Sequence, residues 1–255
     1  MKDQIKIEEE LLKYDGDDKV ISSYDLQKQI ESGSYPPEVK VMSNIKGLDK
    51  LIDGFVGGEI VVLSGLTGNG KSLWLKTLTT KFALQDVNVL WLSYEETPRE
   101  FLRSFPSLPF FYIPKRMEPG IIWWVEKRVI EAKLKYNARV VMIDHLHFII
   151  DMAKLKHPSL EIGTVVRQLK TMAVNYNVVI FLVAHNTKMA KGEKPSLDSI
   201  RDSSFLAQDA SIVLTIWRVA QHNEARLSVE KSRRTGAFKQ IVKFQKIDGL
   251  LQEIE

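Results

Sequence analysis

Gly65-Leu66-Thr67-Gly68-Asn69-Gly70-Lys71-Ser72 fits the pattern G-x-x-x-x-G-K-[ST] at every position. Glycines let successive backbone N–H groups turn toward a phosphate, and a helix start behind them adds a favourable dipole. In such a loop the lysine reaches the β- and γ-phosphates and the hydroxyl of the last residue binds Mg²⁺. Gly65, Thr67, Gly68, Asn69, Gly70, Lys71 and Ser72 are therefore the expected nucleotide-binding residues, with ATP and Mg²⁺ as cofactors. The motif alone recurs by chance, so its surroundings decide. Here the short apolar run Glu59 to Leu63 leads into it, and a helical pattern starts near Lys71.

The same alternation continues outward. Val87 to Leu92, Val140 to Ile143 and Val178 to Val183 read as buried strands. Pro119 to Tyr136 reads as a helix, and Ile162, Val165, Val166, Leu169, Met172, Ala173 and Tyr176 mark one face of another. Strands alternating with helices of this length predict a parallel sheet with crossover helices. After Ser211 the texture changes to strand-like segments, Ile212 to Ile216, Arg226 to Glu230 and Gln240 to Phe244, joined by short polar turns. The expected fold is α/β: a P-loop NTPase core with a mainly parallel twisted sheet, helices on both faces and an antiparallel C-terminal extension. Residues 1–40 differ. They offer one short helix, about Asp25 to Glu31 with Ser23 as N-cap, before Gly33-Ser-Tyr-Pro-Pro37 breaks it. They read as an arm or linker, either a loose tail or a partner-docking helix.

Composition sets outer limits. The 255 residues allow one large domain, or one domain with an appendage. There is no cysteine, which excludes disulfide frameworks, thiolate zinc sites, iron–sulfur clusters and cysteine nucleophiles. No apolar run approaches the roughly 20 residues that span a bilayer. Glu8, Glu9 and Glu10 stand where a signal peptide would need an apolar stretch. The expectation is a soluble, cytoplasmic chain.

Three further strand ends carry chemistry. Asp144 ends Val140 to Ile143 and is placed to hold Mg²⁺ through water. Glu95 and Glu96 follow the second strand directly, and one of them is placed to orient the attacking water as a base. His185 ends the fourth strand, where a polar side chain can contact the γ-phosphate. In doubly wound sheets this carboxyl edge is where ligands bind.

The order Gly65 to Ser72, Ser93-Tyr-Glu95, Met142-Ile-Asp144, Val183-Ala-His185 and Gln208-Asp-Ala210 resembles the RecA-like motor domain of DnaB-type replicative helicases. That group includes the phage primase-helicases and the mitochondrial helicase Twinkle. The resemblance runs from about Gly47 to Gln245, and its most family-specific part is Ser196 to Ser204 with Gln208 to Ala210. It implies a RecA-like ATPase and helicase motor over residues 41–255, and it favours Glu95 as the base. His185 matches the phage and mitochondrial members, since the bacterial ones carry glutamine there. Glu230-Lys-Ser-Arg-Arg-Thr-Gly236 resembles the family turn whose Lys231 and Arg233 would project into a neighbouring subunit's ATP site, Arg233 as the arginine finger. Arg234 beside it leaves that choice open.

The resemblance also implies single-stranded DNA and forked duplex as partners, a homo-oligomer (a hexameric ring), 5′→3′ movement, and a primase or loader. Lys188, Lys191 and Lys194, with Gly192 among them, suit sequence-independent phosphate contact. Lys154 and Lys156 beside His157 form a smaller group. Gln208 would support the DNA-lining segments. From Lys231 to Lys246 there are six basic residues and no acid. Trp123 and Trp124 read as core or interface residues. The chain carries neither the N-terminal helical domain of the bacterial members nor a primase half, so it is expected to be an excised motor or a minimal one. The competing readings are a RecA-family ATPase without unwinding activity and a nucleotide-dependent assembly module.

Overall fold

The computed structural model describes residues 2–16, 18–150, 158–185, 195–196, 199, 206, 208–219 and 224–254. Two compact units, Met1–Glu38 and Val39–Glu255, separate in it. The first contains α1 (Lys2–Leu12) and α2 (Ser23–Glu31). Ser22 caps α2, its Oγ accepting from the Asp25 N–H at 3.1 Å, one residue before the cap expected from sequence. α1 was not expected. Lys, Gln, Glu and Leu are good helix formers, but Ile5, Ile7, Leu11 and Leu12 trace no regular stripe.

In the second unit the chain runs β1 (Lys40–Val41), α3 (Lys46–Ile52), β2 (Phe55–Val56), β3 (Ile60–Gly65), α4 (Lys71–Ala83), β4 (Val89–Ser93), α5 (Pro98–Arg103), α6 (Ile122–Tyr136), β5 (Val140–Asp144), α7 (Pro158–Asn175), β6 (Val179–His185), β7 (Ile212–Val219), β8 (Glu224–Ser232), β9 (Gln240–Ile247) and β10 (Leu250–Ile254). β1 and β2 pair with each other. The remaining strands form one sheet in the order β10-β9-β8-β7-β3-β6-β5-β4. From β7 to β4 every neighbour is parallel, and from β7 to β10 every neighbour is antiparallel. This is the mainly parallel sheet with an antiparallel extension that the sequence predicts.

Strict alternation along the parallel strands builds two cores. Val61, Leu63, Trp91, Met142, Phe181 and Leu214 face one side, where Trp74, Leu75, Leu78 and Phe82 of α4 cover them. Ile60, Val62, Leu92, Ile143, Ile180 and Leu182 face the other, covered by Trp124, Val125 and Val129 of α6 and by Ile162, Val166, Leu169 and Ala173 of α7. Phe181 centres the first core. Its ring meets Phe55 edge-on at 4.8 Å and lies 6.2–6.3 Å from Phe82 and Trp74. Both sheet faces are buried, so these strands are continuous apolar runs in the sequence.

Several boundaries differ from expectation. α6 starts at Ile122 because Pro119 and Gly120 form a turn, Gly120 at φ 75. Trp124 is buried, whereas Trp123 is half exposed. β10 and the short α3 were not expected. β10 had a signal: Asp248-Gly249, both at positive φ, forms the tight hairpin turn after β9. The strands β3, β4, β5 and β6 all end on one edge, and register sets Gly65 beside His185 and Ser93 beside Asp144.

Candidate active site

The loop after β3 needs its glycines for two different reasons. A Cβ at Gly65 would lie 2.4 Å from the Ile216 carbonyl oxygen of the adjacent β7. Gly68 and Gly70 have open space but hold φ of 79 and 94, where side chains are disfavoured. Gly70 caps α4, whose first turn carries no acid. The loop thus ends at the N-terminus of α4, which no side chain caps, a position that favours an anion. The Asn69 side chain pins the loop by accepting the Arg218 backbone N–H at 3.1 Å.

Lys71 folds back over the loop, its Nζ donating to the Gly65 and Leu66 carbonyls at 2.8 and 3.1 Å. Burial lowers its pKa, opposed by the charges of Asp144 and Glu95. Ser72 donates its hydroxyl to Asp144 at 2.7 Å. Asp144 is almost fully buried, and that desolvation raises its pKa to about 6. The nearby Glu95 charge adds to this, while the Ser72 bond and the charges of Lys71 and Lys76 oppose it. A buried carboxylate beside a hydroxyl is an oxygen donor set that suits a hard divalent cation such as Mg²⁺.

Glu95 faces the same cavity, with its Oε1 2.8 Å from His145 Nδ1. Burial, with His147 and Lys71 adding to it, pushes the His145 pKa down to about 4, so the imidazole is neutral near pH 7. Glu96 turns elsewhere: its Oε2 lies 3.2 Å from the Nζ of buried Lys76, which also donates to Ser104. The two adjacent glutamates are thereby separated, one at the phosphate loop and one in a structural ion pair.

Thr67, Gly68, Asn69, Gly70, Lys71, Ser72, Glu95 and Asp144 line a cavity of about 320 Å³. Its far wall comes from Arg218, Glu224, Ala225, Lys246 and Leu251. Sequence reasoning missed that wall. These residues sit on the antiparallel strands, where no motif marks them.

The remaining expected residues fall in different places. His185 reaches the site edge through its backbone pairing with Gly65; its imidazole lies outside the described residues, as do Lys188, Lys191 and Lys194, and Lys154, Lys156 and His157. Gln208 is helical and exposed. Lys231, which the resemblance would send into a neighbouring subunit's site, donates to the Ala210 carbonyl of its own chain at 3.0 Å and is half-buried. Arg233 is exposed and its backbone N–H donates to Ser211 O at 2.9 Å, while Ser211 N–H donates to Ile60 O. Arg233 thus sits level with the start of β3, at the opposite end of the sheet from the phosphate loop.

A phosphate loop at the carboxyl edge of a parallel sheet, with a strand-end aspartate against its serine, defines a RecA-like P-loop NTPase domain. A family model described as "DnaB-like helicase C terminal domain" matches residues 119–247, just over half the chain, and an ATPase model described as "KaiC" matches residues 41–110. The chain belongs to the DnaB-like helicase C-terminal domain family. A probable replicative DNA helicase of Trieres chinensis is 22% identical over 246 residues, covering 80% of this chain and 54% of the relative. The replicative DNA helicase DnaB of Mycoplasma pneumoniae is 24% identical over 238 residues, covering 75% of this chain and 47% of the relative. The chain therefore spans about half the length of these curated relatives. A solved chain from "The Structure Of A DnaB-Like Replicative Helicase And Its Interactions With Primase" aligns over 100% of this chain and 71% of its own, with TM-score 0.76 and 19% identity. Among the described residues no helix is long and apolar enough to cross a membrane.

Proposed function

We propose that this chain is an ATP-dependent replicative DNA helicase motor that works as a ring, translocates on single-stranded DNA in the 5′→3′ direction and unwinds forked duplex. The observation that carries the reading is the convergence of Lys71, Ser72, Asp144 and Glu95 on one cavity behind a phosphate loop. The replicative helicases among the relatives favour it over a non-unwinding ATPase or an assembly module. A cytoplasmic location, and a primase or loader as partner, go with it.

Each residue has a task. The loop N–H groups and the α4 dipole hold the ATP phosphates. Lys71 exchanges its carbonyl acceptors for β- and γ-phosphate oxygens. Ser72 and Asp144 would hold Mg²⁺, which supplies charge neutralisation at the phosphates. Glu95 orients the attacking water and accepts its proton, and His145 holds one oxygen of that carboxylate in place. The His185 imidazole senses the γ-phosphate.

Arg233 acts in trans. β3 alone spans about 16 Å at 3.3 Å per residue, so a side chain level with Ile60 does not reach its own phosphate loop. Head-to-tail packing brings it to the next subunit's ATP, and such packing gives a ring when its rotation closes. An arginine supplied this way contributes about 10³–10⁵ in rate. Lys188, Lys191, Lys194 and Gln208 are assigned to the DNA strand, with binding that rests on phosphate charge.

The test is unwinding of a forked duplex with ATP and Mg²⁺. The chain should separate the strands, and Lys71→Ala should bind the fork yet leave it paired. Equal unwinding by Lys71→Ala would refute the assignment.

A further inference from the structure

Two arginines stand side by side in the turn after β8, and the structure uses them in opposite ways. Arg234 is consumed within its own chain. Its Nη2 donates to the carbonyls of Ile52 at 2.7 Å, Asp53 at 3.3 Å and Gly54 at 2.7 Å. Its Nη1 lies 3.1 Å from Asp53 Oδ2, and its Nε lies 3.3 Å from Glu59 Oε1. Those carbonyls close the C-terminal end of α3, where Asp53 takes a left-handed φ of 54 and the helix leaves acceptors unpaired. Glu59 is a buried carboxylate, and such a group needs a partner. The next residue, Thr235, donates its hydroxyl to Leu51 O at 2.8 Å.

Arg233 is different. Its backbone N–H is fixed on Ser211 O, its side chain is exposed, and among the described residues that side chain makes no hydrogen bond or ion pair.

We infer that Arg234 is a positioning residue: it fastens the 233–236 turn to the end of α3 and so presents Arg233 to the neighbouring subunit's ATP. This rests on the reading of Arg233 as a trans-acting group. The planar guanidinium suits the task, because its five donors in a fixed fork meet acceptors on several sides at once. A lysine, with one point charge on a flexible stem, does not span them. The same contacts exclude Arg234 as the finger, since it would have to abandon all of them to reach outward.

A double-mutant cycle on ATP turnover by the assembled chain tests this, using Arg233→Ala, Arg234→Gln and the double variant. Arg234→Gln should lower kcat at least tenfold while nucleotide affinity, read with a fluorescent ATP analogue, stays within twofold. The double variant should be no slower than Arg233→Ala, because Arg234 acts through Arg233. Arg234→Lys should recover little. Should Arg234→Gln fold poorly, Thr235→Val loosens the same turn with a smaller loss of kcat, again absent in the Arg233→Ala background. Turnover within twofold of wild type for Arg234→Gln, or losses that multiply in the double variant, would overturn the inference. Normal turnover by Arg233→Ala would instead overturn the finger reading beneath it, so the two failures are distinguishable.

Discussion

Asp144 carries a conflict between folding and function that is measurable. Burial raises its pKa from 3.8 to about 6, so the folded protein holds the proton more tightly than the unfolded chain does. Above about pH 6 the ligand-free protein contains a buried negative charge, and its stability is reduced there. As pH falls through 6 the carboxyl protonates and that penalty disappears. Asp144→Asn removes the charge and keeps an acceptor for Ser72. It should therefore stabilise the nucleotide-free protein by on the order of 1–3 kcal/mol at pH 8, with the gain vanishing between pH 6 and 4. Denaturant unfolding across that range checks it, and a variant less stable at pH 8, or a gain independent of pH, would contradict it. The same residue scale shows what a sequence conceals. Both Glu95 and Glu96 follow β4, and partners remote in sequence distinguish them, His145 after β5 for Glu95 and Lys76 on α4 for Glu96. Arg233 and Arg234 are likewise equivalent as letters. Their roles separate only when α3 supplies carbonyls to one of them.

The parallel strands were legible among the secondary-structure elements because burial on both faces writes them as unbroken apolar runs. α7 was legible because its apolar face repeats at helical spacing. α3 was not, being only 7 residues long, too short to show a period. The far wall of the cavity was not legible either, since β7 to β10 meet the phosphate loop through pairing across most of the chain. The β9–β10 turn offers a test at this scale. Gly249 holds φ 82, and a Cβ there would lie 2.9 Å from Pro106 Cβ. Gly249→Ala should destabilise the fold by about 1–3 kcal/mol through the strained backbone and the contact. Because β10 supplies Leu251 to the cavity, nucleotide affinity should fall with it. Unchanged stability would show that the turn relaxes freely.

For the molecule as a whole, the sheet sets two groups of candidate residues at its two ends: the phosphate loop, Glu95 and Asp144 at the carboxyl edge, and Arg233 level with the start of β3. On the proposed trans role of Arg233, activity belongs to an assembly, with each site completed by the next subunit. The basic residues assigned to DNA make that contact electrostatic, so it should weaken steeply with salt. The most direct measurement is steady-state ATP hydrolysis with and without single-stranded DNA, at low and at moderate salt. A DNA-translocating motor predicts hydrolysis stimulated by single strands at low salt, with the stimulation fading as salt rises. Hydrolysis indifferent to DNA at both salt concentrations would contradict it.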